Sequence, residues 1–273
     1  MLNLRRLTPL LLGVLVLAAG CARARKPAQS AASGDANTLT AYVACALVPV
    51  IESAAAKFTA ANPGKRLKIE SGEPAALVQK IEGGATPDLF ICIGESEFGM
   101  LERDGLFDGS MRRSIGSLTL TLARPASSPP IAKPEDLASD SIKSIAIPLS
   151  GVTSLGTEAK HALERLGLWS KAQNKLALRR SGSEALSALA KGEASVGVIY
   201  DPCPLLKLPG KVDAKSIALG PSIGYPSERP ASVQLGIHRS SPRTALAQEF
   251  IGFVRSSAMK ADLAAAGIPV SAE

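Results

Sequence analysis

Three of the four cysteines, Cys45, Cys92 and Cys203, fall at the ends of predicted β-strands, where each strand runs into a loop. In an open α/β sheet, the ground outside the carboxyl ends of the strands is where ligands bind. Thiolates there would be soft ligands, suited to Cu(I), Zn(II) or a thiophilic metalloid such as trivalent arsenic. Three together would make a trigonal pocket. The spacings contain no Cys-x-x-Cys, so placement carries this expectation rather than motif. Two alternatives stand beside it. In an oxidising compartment two of the thiols could join as a disulfide, and cysteine also packs as a small buried hydrophobe.

Strand and helix signals alternate along the segment that must position these residues. Leu39 to Ala44 reads as a strand, and Val50, Ile51, Ala54, Ala55 and Phe58 recur at helical spacing until Asn62-Pro63-Gly64 stops them. Leu67 to Glu70 is a short strand, Pro74 to Glu82 a helix closed by Gly83-Gly84, and Asp88 to Ile93 a buried strand. Ser117 to Ala123 alternates polar and apolar residues, as a strand crossing between lobes would. The second half repeats the rhythm, with strands at 145–147, 195–200 and 231–237 and helices striped by Ala159, Ala162, Leu163 and Leu166, over 183–190 and from Thr244. Alternation of this kind predicts an α/β fold of parallel sheets with helices on both faces. With six Phe, one Trp and three Tyr, the core must be built from Leu, Val, Ile and Ala.

The formal charge of +7 belongs mostly to the first 26 residues. No acidic residue precedes Asp35, while Arg5, Arg6, Arg23, Arg25 and Lys26 supply five positive charges and leave the rest near +2. The sequence therefore carries no nucleic-acid footprint. The apolar run Leu10 to Ala19 is too short to span a bilayer, which takes ~20 apolar residues. It ends in Leu17-Ala18-Ala19-Gly20-Cys21, which resembles the bacterial lipoprotein signal, in which the cysteine is lipidated. The bland alternative is an ordinary export signal with an incidental cysteine. Residues 1–20 read as signal peptide and 21–36 as a polar tether to the membrane.

The order of motifs resembles the molybdate-binding periplasmic proteins of ABC importers, within the type II periplasmic binding proteins. The resemblance rests on Leu39-Thr40-Ala41-Tyr42-Val43-Ala44 and Ile81-Glu82-Gly83-Gly84-Ala85-Thr86-Pro87-Asp88-Leu89-Phe90-Ile91. It continues in Ala162-Leu163-Glu164-Arg165-Leu166-Gly167-Leu168-Trp169 and Val196-Gly197-Val198-Ile199-Tyr200. It implies two α/β lobes joined by a two-strand hinge, lobe one at 37–120 with 236–273 and lobe two at 121–235. It also implies an anion held between the lobes, no catalysis, an ABC permease as partner and a monomer, which the leader and tether would hold outside the cell membrane.

The departures from that family redirect the expected ligand. The family holds its oxyanion with two serine hydroxyls, helix-start amides and a tyrosine. The first serine falls on Ala46, beside Cys45, and the second within Glu73-Pro74-Ala75, where a carboxylate stands and no hydroxyl remains. The tyrosine is kept as Tyr200, a serine just past the Asp-Leu-Phe-Ile strand falls on Cys92, the loop after Tyr200 carries Cys203, and Ser183 opens a helix whose amides could reach a ligand. Cys45, Cys92 and Cys203 suit copper or trivalent arsenic, with Glu73 added they suit zinc, and with Glu73, Tyr200 or another group as fourth ligand they could hold an iron–sulfur cluster. The expected function is thus soft-ion capture by an exported solute-binding lipoprotein. A molybdate or tungstate binder with an altered site and a thiol-based sensor or redox module are the alternatives. His161 and His238 have no metal-spaced partner nearby and read as solvated or surface residues.

Overall fold

Thr38–Ala44 (β1) starts the chain's first buried strand, and a single tight turn at Cys45–Leu47 leads from it into Val48–Ala61 (α1). Residues 35–201, 203, 212–224 and 231–268 of the computed structural model are described; the leader, Cys21 and the tether lie outside them. Val50, Ile51, Ala54 and Phe58 face inward from α1, the stripe that the helical spacing predicts. Arg66–Gly72 (β2) leads to Pro74–Glu82 (α2), with proline in the first turn, where its missing N–H costs nothing. Leu89–Ile93 (β3) follows, buried at all five positions, and then Ser96–Arg103 (α3).

Arg113–Pro125 (β4) is the longest strand and is shared between two groups of neighbours. Ile145–Pro148 (β5), Ser154–Arg165 (α4), Trp169–Ala172 (α5), Leu176–Arg179 (β6), Gly182–Ala190 (α6) and Val196–Asp201 (β7) come next. The described chain ends with Ile217–Ser222 (β8), Ala231–Ile237 (β9), Thr244–Arg255 (α7) and Lys260–Ala265 (α8). The strand order is β2-β1-β3-β9-β4-β7-β5-β6, with β8 paired to β4. Residues 113–118 of β4 pair antiparallel with β9, while residues 119–125 pair antiparallel with β7 and β8. β1 is parallel to β2 and β3, and β5 is parallel to β6 and β7. All of β9, from Ala231, lies with β3 and the first half of β4, so this pairing begins ahead of the lobe boundary expected at 236.

Phe90 of β3, Phe98 and Phe107 pack together, with Phe107 edge to face against the other two and Phe90 tilted against Phe98, centroids 5.0–6.2 Å apart. Gly236 makes this possible, because a Cβ there would stand 2.3 Å from the Phe98 ring. His238 joins the cluster against Phe107 at 5.2 Å, buried rather than at the surface, with Nδ1 accepting from Ser240 N. The strands β6 and β8 and the helices α3 and α5 are additions to the sequence reading. β6 is four residues long, and β8 contains Gly220-Pro221, which weakens any strand signal.

Asp88 ties the first group of strands to the C-terminal segment. Its carboxylate, 2% exposed, accepts from Thr40 N at 2.7 Å and Ser241 Oγ at 2.6 Å and pairs with Arg243 Nε at 3.3 Å. Asp88→Asn should therefore destabilise the protein by about 1–3 kcal/mol, because the charged acceptor is lost while its donors stay buried. Urea unfolding would measure this, and an unchanged midpoint would show that the network is dispensable. Among the described residues no helix is long and apolar enough to cross a membrane.

Candidate functional site

A cleft continuous with solvent opens at the carboxyl ends of the parallel strands. Each strand delivers the residues that follow it. Ala44 ends β1 and Cys45 and Ala46 follow it, Glu73, Pro74 and Ala75 come after β2, and Thr153 and Leu155 after β5. Arg180, Ser181, Gly182 and Ser183 follow β6, and Ile199, Tyr200 and Cys203 come from β7 and beyond. α2, α4 and α6 thus all begin at the cleft wall. The N–H groups of a first helical turn have no partner within the helix and carry the positive end of its dipole.

The caps show why these helices start there. Thr153 accepts from Gly156 N at 3.1 Å to open α4, and Ser181 accepts from Glu184 N at 3.2 Å to open α6. Ser183 takes no part in that cap and lines the cleft. Glu73 stands at the N-cap of α2 but makes no side-chain cap. Instead it accepts from Cys45 Sγ at 3.7 Å.

Five of the expected site residues, Cys45, Glu73, Ser183, Tyr200 and Cys203, therefore line one cleft, and Cys92 does not. Successive strand residues point to opposite faces, and Ile93 is the one turned to the cleft. Cys92 is fully buried opposite Gln234. Burial, aided by the charge of Glu97, raises its thiol well above the ordinary range, so it is held as a neutral thiol. Cys203 packs in an apolar cluster with Leu186 and Ile199. Among the described residues no group of three or more His, Cys, Asp and Glu side chains is placed to hold a metal ion. The expected set of Cys45, Cys92, Cys203 and Glu73 is not assembled, because strand alternation turns one thiol into the core. No disulfide links the three cysteines either.

The sequence reading missed the floor of the cleft. Glu97, 2% exposed, reaches from α3 to the start of α4, where Ser154 N donates to it at 3.1 Å and Ser154 Oγ donates to its other oxygen. Burial raises its carboxyl above the ordinary value, against the pull of those bonds. One turn along α4, Glu158 is pushed up to about 8, by burial first and then by the charges of Glu97 and Glu95. Tyr200, 7% exposed, approaches Glu158, yet its hydroxyl and Glu158 Oε2 complete no hydrogen bond among the described residues. A hydroxyl held beside the Glu158 carboxyl, at a cleft wall built from helix starts, is able to donate to an oxygen acceptor brought by a ligand. Thr153 was legible as an N-cap, but nothing local in the sequence marks Glu97 or Glu158.

The fold and this cleft define a protein that holds a small solute where strands end and helices begin. The chain belongs to the bacterial extracellular solute-binding proteins, whose family profile matches residues 39–268. It is 24% identical over 231 residues, 81% of this chain and 86% of the other, to the molybdate-binding protein ModA of Haemophilus influenzae. The periplasmic molybdate-binding protein of Azotobacter vinelandii shares the fold with a TM-score of 0.65 and 22% identity, over 86% of this chain and 100% of the other. The sulfate-binding protein SubI of Mycobacterium tuberculosis does so with a TM-score of 0.69 and 18% identity, over 85% of this chain and 86% of the other. The chain is a solute-binding protein and not an enzyme.

Proposed function

We propose that the protein captures a small tetrahedral oxyanion of the molybdate class outside the cell membrane and delivers it to the permease of an ABC importer. The observation that carries this reading is the convergence of the starts of α2, α4 and α6 on one cleft that also receives the Tyr200 hydroxyl. Helix-start amides donate to anionic oxygens at no proton cost. The relatives named for molybdate support the same ligand class. Ser183 would add a side-chain hydroxyl in place of the missing serines, beside that of Tyr200. Soft-ion capture is the weaker reading, since among the described residues Cys45, Glu73 and Cys203 line the cleft but are not placed together to hold a metal ion.

In this reading the two strand groups act as lobes, hinged where β4 passes from β9 to β7, and the bound anion favours the closed form by touching both. A lipid on Cys21 and the tether would keep the monomer at the membrane. Calorimetry with molybdate, tungstate, sulfate, zinc and arsenite on reduced protein tests the reading. Molybdate or tungstate should bind tightest, and Tyr200→Phe should weaken that binding about tenfold through loss of one hydrogen bond. Tight zinc or arsenite binding with no oxyanion binding would reject it.

A further inference from the structure

Glu73 is an odd residue for an oxyanion site. A carboxylate at an N-cap ordinarily turns back onto the helix amides. Here it lines the cleft, half-buried, and its one hydrogen bond among the described residues comes from Cys45 Sγ. Arg180, the cation that lines the cleft among the described residues, is committed to Glu184 at 2.6 Å. An ionised carboxylate only accepts hydrogen bonds, whereas helix starts only donate them. A fully ionised oxyanion satisfies the helix starts and is repelled by Glu73. One proton placed between a ligand oxygen and a Glu73 oxygen turns that repulsion into a charge-assisted O–H···O bond.

We propose that the cleft captures its oxyanion together with one proton, shared between Glu73 and an oxygen of the ligand. This rests on the oxyanion reading and deepens it, because Glu73 then decides which protonation state of the anion is taken. Only an O–H bond changes, and the proton comes from water or arrives on the anion. The other titratable or charged groups lining the cleft with Glu73 are Cys45 before α1, Glu97 on α3, Arg180 before α6, Tyr200 on β7 and Cys203 beyond it. Glu97, already raised by burial, is the rival source of any pH dependence, with Glu158 behind it.

The test is calorimetry of molybdate binding between about pH 8 and pH 6, in buffers of different ionisation enthalpy. The complex holds a proton that the free partners lack, so falling pH favours binding. Affinity should rise about tenfold per unit, with uptake of about one proton per anion. Glu73→Gln keeps the shape and supplies a donor. It should bind molybdate at least about tenfold tighter at pH 8 and lose the slope. Wild-type binding without proton uptake would overturn the proposal, as would an undiminished slope in Glu73→Gln, which would assign the proton to Glu97. Either result leaves the oxyanion reading standing. Absence of binding by molybdate, tungstate and sulfate at every pH would overturn both. The wild-type measurement needs no variant, so misfolding of Glu73→Gln, checked by its unfolding midpoint, would leave the proposal open to refutation.

Discussion

Replacing Gly94 with alanine should lower stability by about 3–5 kcal/mol and abolish oxyanion binding, since strain at a positive φ and overpacking each cost ~1–3 kcal/mol. Gly94 follows β3 with φ +89°, a conformation that side chains other than glycine rarely adopt. A Cβ there would lie 2.1 Å from Ser154 Cβ, 2.4 Å from Ser154 Oγ and 3.1 Å from Glu158 Oε1. None of these can retreat easily. Ser154 is 1% exposed, its Oγ accepts from Ser96 N at 2.9 Å, and both its N–H and its hydroxyl donate to Glu97. Gly94 N is itself tied to Ser232 O at 2.8 Å. The added methyl must push the loop after β3 away from α4, and these two elements carry Ile93, Glu97, Thr153 and Leu155 to the cleft. Urea unfolding and molybdate calorimetry would read both effects. Wild-type values in both would mean that this contact is not tight in solution.

Glu158→Gln should stabilise the protein by roughly 2–4 kcal/mol at pH 8, with the gain shrinking toward zero near pH 4.5. The Glu158 carboxyl sits at about 8 in the folded chain against an ordinary 4.5, because burial penalises its charge and Glu97 and Glu95 add repulsion. Between those two values the folded state keeps a proton that the unfolded state releases. Stability of the parent must therefore fall as pH rises through that window. A shift of this size amounts to at most about 5 kcal/mol at 1.36 kcal/mol per unit, and relaxation of the site reduces it. Glutamine has the shape of the neutral acid and never ionises, so the variant should lose most of the slope. Glu97, raised in the same direction, leaves a smaller one. Parallel stability profiles for parent and variant at pH 5, 6.5 and 8 would reject this account.

Local patterns carried much of the architecture. α2 spans Pro74–Glu82 as proline and the Gly pair predict, and β9 spans Ala231–Ile237 as its apolar run predicts. Strand ends are legible because apolar runs stop at turn residues. That is why Cys45, Glu73, Ser183, Tyr200 and Cys203, all placed at or near strand ends, share one cleft. Cys92 shows the limit. β3 is buried on both faces, so no alternation in the sequence tells which side chains turn toward ligand and which toward core.

The sequence by itself determined the α/β alternation and the helix starts at the strand ends, because each depends on residues near one another in the chain. The solute-binding class followed from the resemblance of its motifs to a known family. Only the tertiary structure decided the character of the cleft. Glu97 meets Ser154 across 57 positions, Cys45 meets Glu73 across 28, and Glu158 draws its raised proton affinity from burial that no local pattern encodes. Burial and charge proximity are sums over neighbours brought together by folding, so which side chains share the cleft could be read only after the strands were in place.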